Sequence, residues 1–465
     1  MVFSSLPFLF FFLPAVLIVY YAVPQKAKNA VLLAFSLLFY GYGEPVYILL
    51  MVGSILLNYA AGRLLGRFDG DAKKRKAVLI ACIAANLLLL GFFKYASLFV
   101  STVKVLPVFS FLPDPQIALP IGISFYTFQS MSYVIDAYRR NCAPQKNLIT
   151  FGTYVALFPQ LIAGPIVRYV DVEQQLQTRT HTAEKFTNGT RLFLFGICKK
   201  VLLANALGAL WDNLKAAPGT NTTLAAWVGI LAFTFQIFFD FSGYSDMAVG
   251  LGKLFGFEFV RNFNYPYTAD SVTDFWRRWH ISLGTWFREY VYIPLGGNRR
   301  GKARQCLNIF IVWGLTGIWH GASWNFLLWG LYFGVLLTIE KFGLLRLLQK
   351  GPRAAARLYT MLVVVLGWVL FDFTRLTDMG AYFGDLFSWR NGLVSADAFA
   401  TLMTHLPLFA LAVVFSLPTA RRAFEAWKDK RFWRVLEPVL GVLALVLCIA
   451  CLVSSTYNPF LYFRF

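Results

Sequence analysis

The feature that most constrains this chain is a series of apolar runs, each near the length of a membrane-crossing helix, separated by short connectors rich in lysine and arginine. The runs cover 3–23, 29–42, 45–62, 77–100, 117–137, 148–163, 191–212, 224–241, 307–339, 358–373, 398–417 and 436–453. A helix needs about 20 predominantly apolar residues to cross the hydrocarbon core. Because that core offers no water to backbone N–H and C=O groups, the helix is the form that satisfies them within one run. The sequence therefore predicts an all-α polytopic membrane protein with about eleven or twelve transmembrane helices.

Composition points the same way. The 465 residues are 58% hydrophobic and 18% aromatic, and only 14% are charged, against about 25% charged in ordinary soluble domains. A net charge of +20 would suggest nucleic acid as the partner of a soluble protein. Here the basic residues gather in the connectors, where they set topology and meet anionic headgroups. The expected partner is membrane lipid, and nucleic acid is not expected. No internal repeat, low-complexity tract or flexible linker divides the chain, so residues 1–465 read as a single transmembrane domain.

Charge also orients the spans. The first run has no basic segment before it and no small-x-small cleavage site before Pro24, whereas Lys26 and Lys28 follow it. It reads as a retained span with its N-terminus outside. Alternating from there, six inner stretches (26–28, 63–76, 139–146, 299–304, 341–357 and 421–434) hold 26 lysines and arginines, and the outer connectors hold five: Lys104, Lys215, Arg375, Arg390 and Arg464.

Two runs break the rule of one run per span. The stretch 148–163 is short, holds Pro159, ends in Gly164-Pro165 and is flanked by Lys146 and Arg168. It is expected to enter and leave on the inner side, and irregular backbone at that depth requires protein or a water-filled cavity around it. The stretch 307–339 would measure about 50 Å as one helix, too long for a core of about 30 Å. With basic residues at both ends, it is expected to form a hairpin whose limbs meet near Trp319-His320-Gly321. Between 261 and 304 the chain mixes aromatic residues with cations, including Arg277, Arg278, Trp279, His280, Trp286 and Arg288. That pattern fits an interfacial amphipathic segment and equally the inner mouth of a site for an anionic substrate.

Of the four histidines, His181 sits in a polar inner stretch and His405 near the end of an apolar run, and neither is a candidate. His320 differs, because an ionisable side chain inside the membrane is costly and by default marks function. Imidazole removes and returns a proton near neutral pH. For His280 the catalytic and interfacial readings are balanced. Asp240 and Asp246, in the run FFDFSGYSDMAVG, are placed either to orient histidines or to pair with Arg277 or Arg278. No P-loop, nucleophile elbow or HExxH helix is present. No third ligand stands at recognisable spacing from His280 and His320, so no metal is expected. The pair Cys448-x-x-Cys451 reads as packing cysteines.

Six stretches carry a resemblance: GISFYTFQSMSYVIDAYR (122–139), FPQLIAGPIVR (158–168), FDFSGYSDMAVGLGKLFGF (239–257), FWRRWHISLGTWFREYVYIPLGGNRRG (275–301), GIWHGASWNFLLWG (317–330) and YNPFLYFRF (457–465). Together they resemble the membrane-bound O-acyltransferase (MBOAT) family, in its bacterial alginate O-acetyltransferase-like branch. The resemblance implies tilted transmembrane helices, with re-entrant and interfacial ones, around a central tunnel. It implies that His320 is the catalytic histidine and His280 the second family histidine. It further implies acetyl-CoA as donor substrate with no permanently bound cofactor, and location in the bacterial inner membrane. Arg277, Arg278, Arg299 and Arg300 would bind the donor, with Asp240 and Asp246 in support. Acetyl groups would pass to an exported, alginate-like polysaccharide through a periplasmic SGNH-type partner. Two other readings stand beside this one: a teichoic acid D-alanyl transferase fed by a carrier-protein thioester, and a secondary transporter. Transporters of that kind usually show paired inverted repeats, which this sequence lacks.

Overall fold

The computed structural model describes residues 2–113, 115, 117–428, 430–454, 457, 458, 460 and 461. Arg464 lies outside the described residues, as do positions 459, 462, 463 and 465 of the C-terminal stretch 457–465. Among the described residues every regular element is helical.

Among the described residues seven helices are long and apolar enough to cross a membrane: Ile48–Arg67, Ala72–Val103, Ala183–Leu214, Thr223–Leu254, Arg353–Asp372, Ala396–Ser416 and Arg431–Ser454. The remaining apolar runs fold as shorter pieces, such as Lys28–Gly43, Ile123–Arg139 and Trp324–Ile339. Starts are written into the sequence by capping residues. Asp71 accepts the Lys74 N–H, Asn147 the Thr150 N–H and Ser395 the Ala398 N–H, each satisfying a donor that has no partner inside its helix.

The chain divides into two compact units, Met1–Phe193 with Tyr244–Arg261, and Leu194–Gly243 with Asn262–Phe465. In the first, Asn58 and Asn86 exchange side-chain hydrogen bonds of 3.1 and 3.0 Å between two spans, polar contacts of the kind that hold helices together where lipid supplies no hydrophobic drive. The run 148–163 is irregular, divided into Leu148–Ala156 and Phe158–Leu161, and from Phe151 to Ala163 it is buried in protein. His181, expected on a solvated surface, is half-buried with Nε2 2.9 Å from the Tyr20 hydroxyl. The local sequence is polar, but the aromatic side chains that cover it come from the first run, far away in the chain.

The second unit is built round an aromatic core that includes Trp211, Phe233, Phe239, Phe275, Trp329, Phe333 and Trp368. The long run 307–339 folds as a helical hairpin, Lys302–His320 followed by Trp324–Ile339. Its limbs touch backbone to backbone: a Cβ on Gly317 would collide with the Phe326 carbonyl oxygen, and one on Gly330 with that of Trp313. His320 is the last residue of the first limb, and Gly321 turns extended to begin the reversal. In the same unit, the Cys198 and Cys448 sulfurs lie 3.9 Å apart as free thiols.

Candidate active site

The segment 261–301, all but its first residue in the second unit, is positioned by two buried side chains far apart in sequence. Glu340, fully buried at the end of the hairpin's second limb, accepts from the Val272 N–H at 2.6 Å, the Thr273 N–H at 2.8 Å and the Thr273 hydroxyl at 2.6 Å. A carboxylate there meets the first N–H groups of helix Val272–Arg278 and the positive end of its dipole. Ser271 caps the same helix through the Asp274 N–H. The helix carries Trp276 and Arg277 at a fixed height.

Beyond it the backbone turns left-handed at His280, with φ 46° and ψ 53°, a region that non-glycine residues seldom adopt. The next helix, Ile281–Phe287, therefore starts without a cap from His280, and Asn262 supplies one. Its carbonyl accepts the Ile281 N–H at 3.0 Å and its amide oxygen accepts the Ser282 N–H at 3.1 Å. The result drives the His280 ring inward, where it is 2% exposed.

The two histidines share a neighbour. The His280 ring stands edge to face with Phe241 at 4.7 Å between centroids and lies 6.0 Å from Trp319. The Trp319 ring is in turn 5.0 Å from that of His320. His320 is 6% exposed and meets Trp329 at 5.0 Å and Phe371 at 5.3 Å, both edge to face, the arrangement that aromatic quadrupoles favour. The small space beside His320 is lined by Ile237, Phe241, Trp329, Phe371 and Leu461 among others and holds about 10 Å³, close to the room needed for one water molecule.

A much larger cavity of about 1000 Å³ opens in the same unit, bounded by Arg277, Arg288, Arg299, Arg300 and Lys341 among others. Three of the four arginines expected to meet an anionic donor thus share one wall. Arg278 points elsewhere, its Nε 2.8 Å from Asp274 Oδ2. Arg288, named within the aromatic and cationic segment, lines the cavity too, and Lys341 joins it without having been expected there, although it lies in the basic stretch that follows the hairpin. One ring contact links the linings of the two spaces: Trp276 lines the cationic cavity, Trp329 lines the space beside His320, and their rings meet at 5.4 Å.

Asp240 is buried, and its partner is neither Arg277 nor Arg278 but Lys200, whose Nζ lies 2.7 Å from Oδ1. Asp246 falls in the first unit and is partly exposed. His405 bonds the Thr401 carbonyl one turn back in its own helix. Among the described residues no group of three histidine, cysteine or acidic side chains is arranged to hold a metal ion.

Residues 144–379, which include both histidines and the cationic cavity, match the model of the membrane-bound O-acyltransferase family. The chain belongs to that family. It is a multi-pass membrane protein and an O-acyltransferase. It is similar along its whole length to the Pseudomonas putida protein named "Probable alginate O-acetylase AlgI", with 39% identity covering 100% of both chains. A peptidoglycan O-acetyltransferase of Helicobacter pylori is 33% identical over 80% of this chain and 77% of its own. A teichoic acid D-alanyltransferase of Bacillus subtilis is 30% identical, over 51% of this chain and 66% of its own. For this O-acyltransferase the transporter reading falls away, because the family's chemistry is acyl transfer.

Proposed function

We propose that this O-acyltransferase takes acetyl from acetyl-CoA on the cytoplasmic side of a bacterial inner membrane and delivers it to the far side, for O-acetylation of an exported, alginate-like polysaccharide. A periplasmic SGNH-type partner receives the group and places it on the polymer. The observation that carries this reading is a large cationic cavity and a small histidine-bearing space whose linings touch through the rings of Trp276 and Trp329.

Coenzyme A carries phosphates, and guanidinium groups pair with phosphate oxygens through charge-assisted, often bidentate hydrogen bonds. Arg277, Arg299 and Arg300 supply that chemistry in one place, with Arg288 and Lys341 beside them. Carrying the whole donor through lipid would mean burying a polyanion, whereas passing the acetyl group alone needs only an opening at Trp276 and Trp329. His320 acts as general base: it takes the proton of the acceptor hydroxyl as that oxygen attacks the thioester carbonyl. The carbon–sulfur bond then breaks, and the departing thiolate takes the proton from the imidazolium, leaving free CoA and neutral His320. The names of the full-length and near-full-length relatives favour a glycan as the final acceptor.

The test is release of free CoA thiol from acetyl-CoA by the purified full-length protein in detergent, with and without a periplasmic acetyltransferase partner. Wild type should turn over, and His320→Ala should lose at least ~100-fold while unfolding at the same temperature as wild type. Full activity in His320→Ala would sink the assignment of the base. Silence toward acetyl-CoA, with turnover of a D-alanyl carrier-protein thioester, would move the donor to the alternative reading.

A further inference from the structure

We infer that Leu461 sets the length of the acyl chain this enzyme accepts, and that Asp240 is the residue that positions it; this rests on the reading of His320 as the centre of acyl-CoA turnover. The C-terminal segment of the second unit is fastened at three points. The Tyr457 hydroxyl donates to Asp212 Oδ2 at 2.6 Å, the Asn205 amide donates to Asn458 Oδ1 at 3.3 Å, and the Leu461 N–H donates to Asp240 Oδ2 at 2.8 Å. Lys200 ties the last two together, with Nζ 2.7 Å from Asp240 Oδ1 and 2.8 Å from Asn205 Oδ1. Asp240 and Lys200 are 1% and 3% exposed. A buried ion pair is expensive to desolvate and strongly destabilising to break, so the backbone of residue 461 is held by a stiff clamp.

The side chain on that clamped backbone lines the space beside His320. The other walls are aromatic or part of a long helix and brace one another: Trp329 meets Phe371 at 5.3 Å. Leu461 is the wall that comes from a terminal segment and from outside that ring network. The space is only about 10 Å³ and is bounded by apolar side chains, so the acyl chain of a donor whose carbonyl reaches His320 must be accommodated against them, and the Leu461 side chain takes up part of that room. Leu461 therefore excludes longer acyl groups by bulk, and Asp240 keeps that bulk in place.

The experiment compares kcat/KM for acetyl-, propionyl- and butyryl-CoA, by CoA thiol release from the full-length protein in detergent. Leu461→Ala should raise the butyryl-to-acetyl ratio by at least ~10-fold, the scale on which a filled apolar pocket discriminates methylenes. Leu461→Phe should lower the propionyl-to-acetyl ratio. Asp240→Asn should raise the butyryl-to-acetyl ratio in the direction of Leu461→Ala, whereas a merely structural loss would depress all three donors alike. If the alanine variant does not accumulate, Leu461→Val, one methylene shorter, should show a smaller rise of the same sign. A wild-type ratio in a folded Leu461→Ala or Leu461→Val protein overturns the inference while the acetyl-CoA reading stands. A wild-type protein inert toward acetyl-CoA overturns that reading and the inference with it.

Discussion

Trp276 and Trp329 stand edge to face with ring centroids 5.4 Å apart, one ring on the cationic cavity and the other on His320. Trp276 is braced by Trp313 at 4.8 Å and Phe333 at 4.9 Å, so this contact is packed against the aromatic core. On the function proposed above, it acts as a partition that keeps water on the donor side from the thioester carbonyl at His320. In Trp276→Ala, CoA release that is not matched by acyl transfer should rise several-fold relative to wild type. Parallel assays of free thiol and acyl product read that ratio. The substitution removes a large, partly buried ring and should destabilise the protein by less than the about 3–5 kcal/mol of a fully buried one, and Trp276→Phe provides the milder member of the series. An unchanged ratio in both variants would count against the partition.

The cationic cavity predicts a split between binding and chemistry. Arg277→Ala, Arg299→Ala and Arg300→Ala should each raise KM for acyl-CoA by about 10- to 100-fold, the worth of one hydrogen bond to a charged group at about 1.5–3 kcal/mol, with kcat nearly held. Higher ionic strength should shrink the difference by screening. Arg278→Ala is the internal control. Its guanidinium is engaged one turn back by Asp274, an interaction of about 0.3–0.5 kcal/mol on a partly exposed helix, and KM should stay at the wild-type value.

What the sequence made legible here is whatever a single segment decides. The break at His320-Gly321 follows from a run too long for one crossing with basic residues at both ends, and the structure turns there. Arg277, Arg299 and Arg300 were within reach because they lie close together in one connector. The partners were not. Lys200 for Asp240, Glu340 for the helix beginning at Val272 and Leu461 for the His320 enclosure each join segments dozens to hundreds of residues apart. No periodicity encodes such pairings, since tertiary packing selects them. The left-handed turn at His280 was equally hidden, because a φ of 46° leaves no trace in residue type at a histidine.

Asn262 offers a test of how His280 is held. Its amide oxygen and carbonyl take the first two N–H groups of the helix that begins after His280. Asn262→Ala leaves the Ser282 N–H without this acceptor in a buried place and should cost about 1–2 kcal/mol of stability, visible as a lower Tm. If the cap also fixes the His280 ring, kcat should fall while KM for acyl-CoA holds, and Asn262→Asp, which keeps the accepting oxygen, should recover much of the loss. A drop in Tm with kcat intact would assign Asn262 to stability alone.

Acid sensitivity should trace in part to His181, which lies in the connector between helices Tyr169–Gln177 and Ala183–Cys198. Burial holds its imidazole below the ordinary histidine range, and the charges of Lys28 and Arg179 push the same way. The sign follows from linkage: below about pH 6.5 the unfolded chain protonates this histidine more readily than the folded one does. The stability it contributes is therefore complete above that value and is lost as pH falls toward the lowered folded value. Thermal unfolding of the wild type should show Tm falling between pH 7 and pH 5. In His181→Gln, which has no proton to take up, that fall should be smaller, even if the variant is less stable at pH 7 through loss of its contact with the Tyr20 hydroxyl. Equal slopes in the two proteins would show that the acid response arises from other groups.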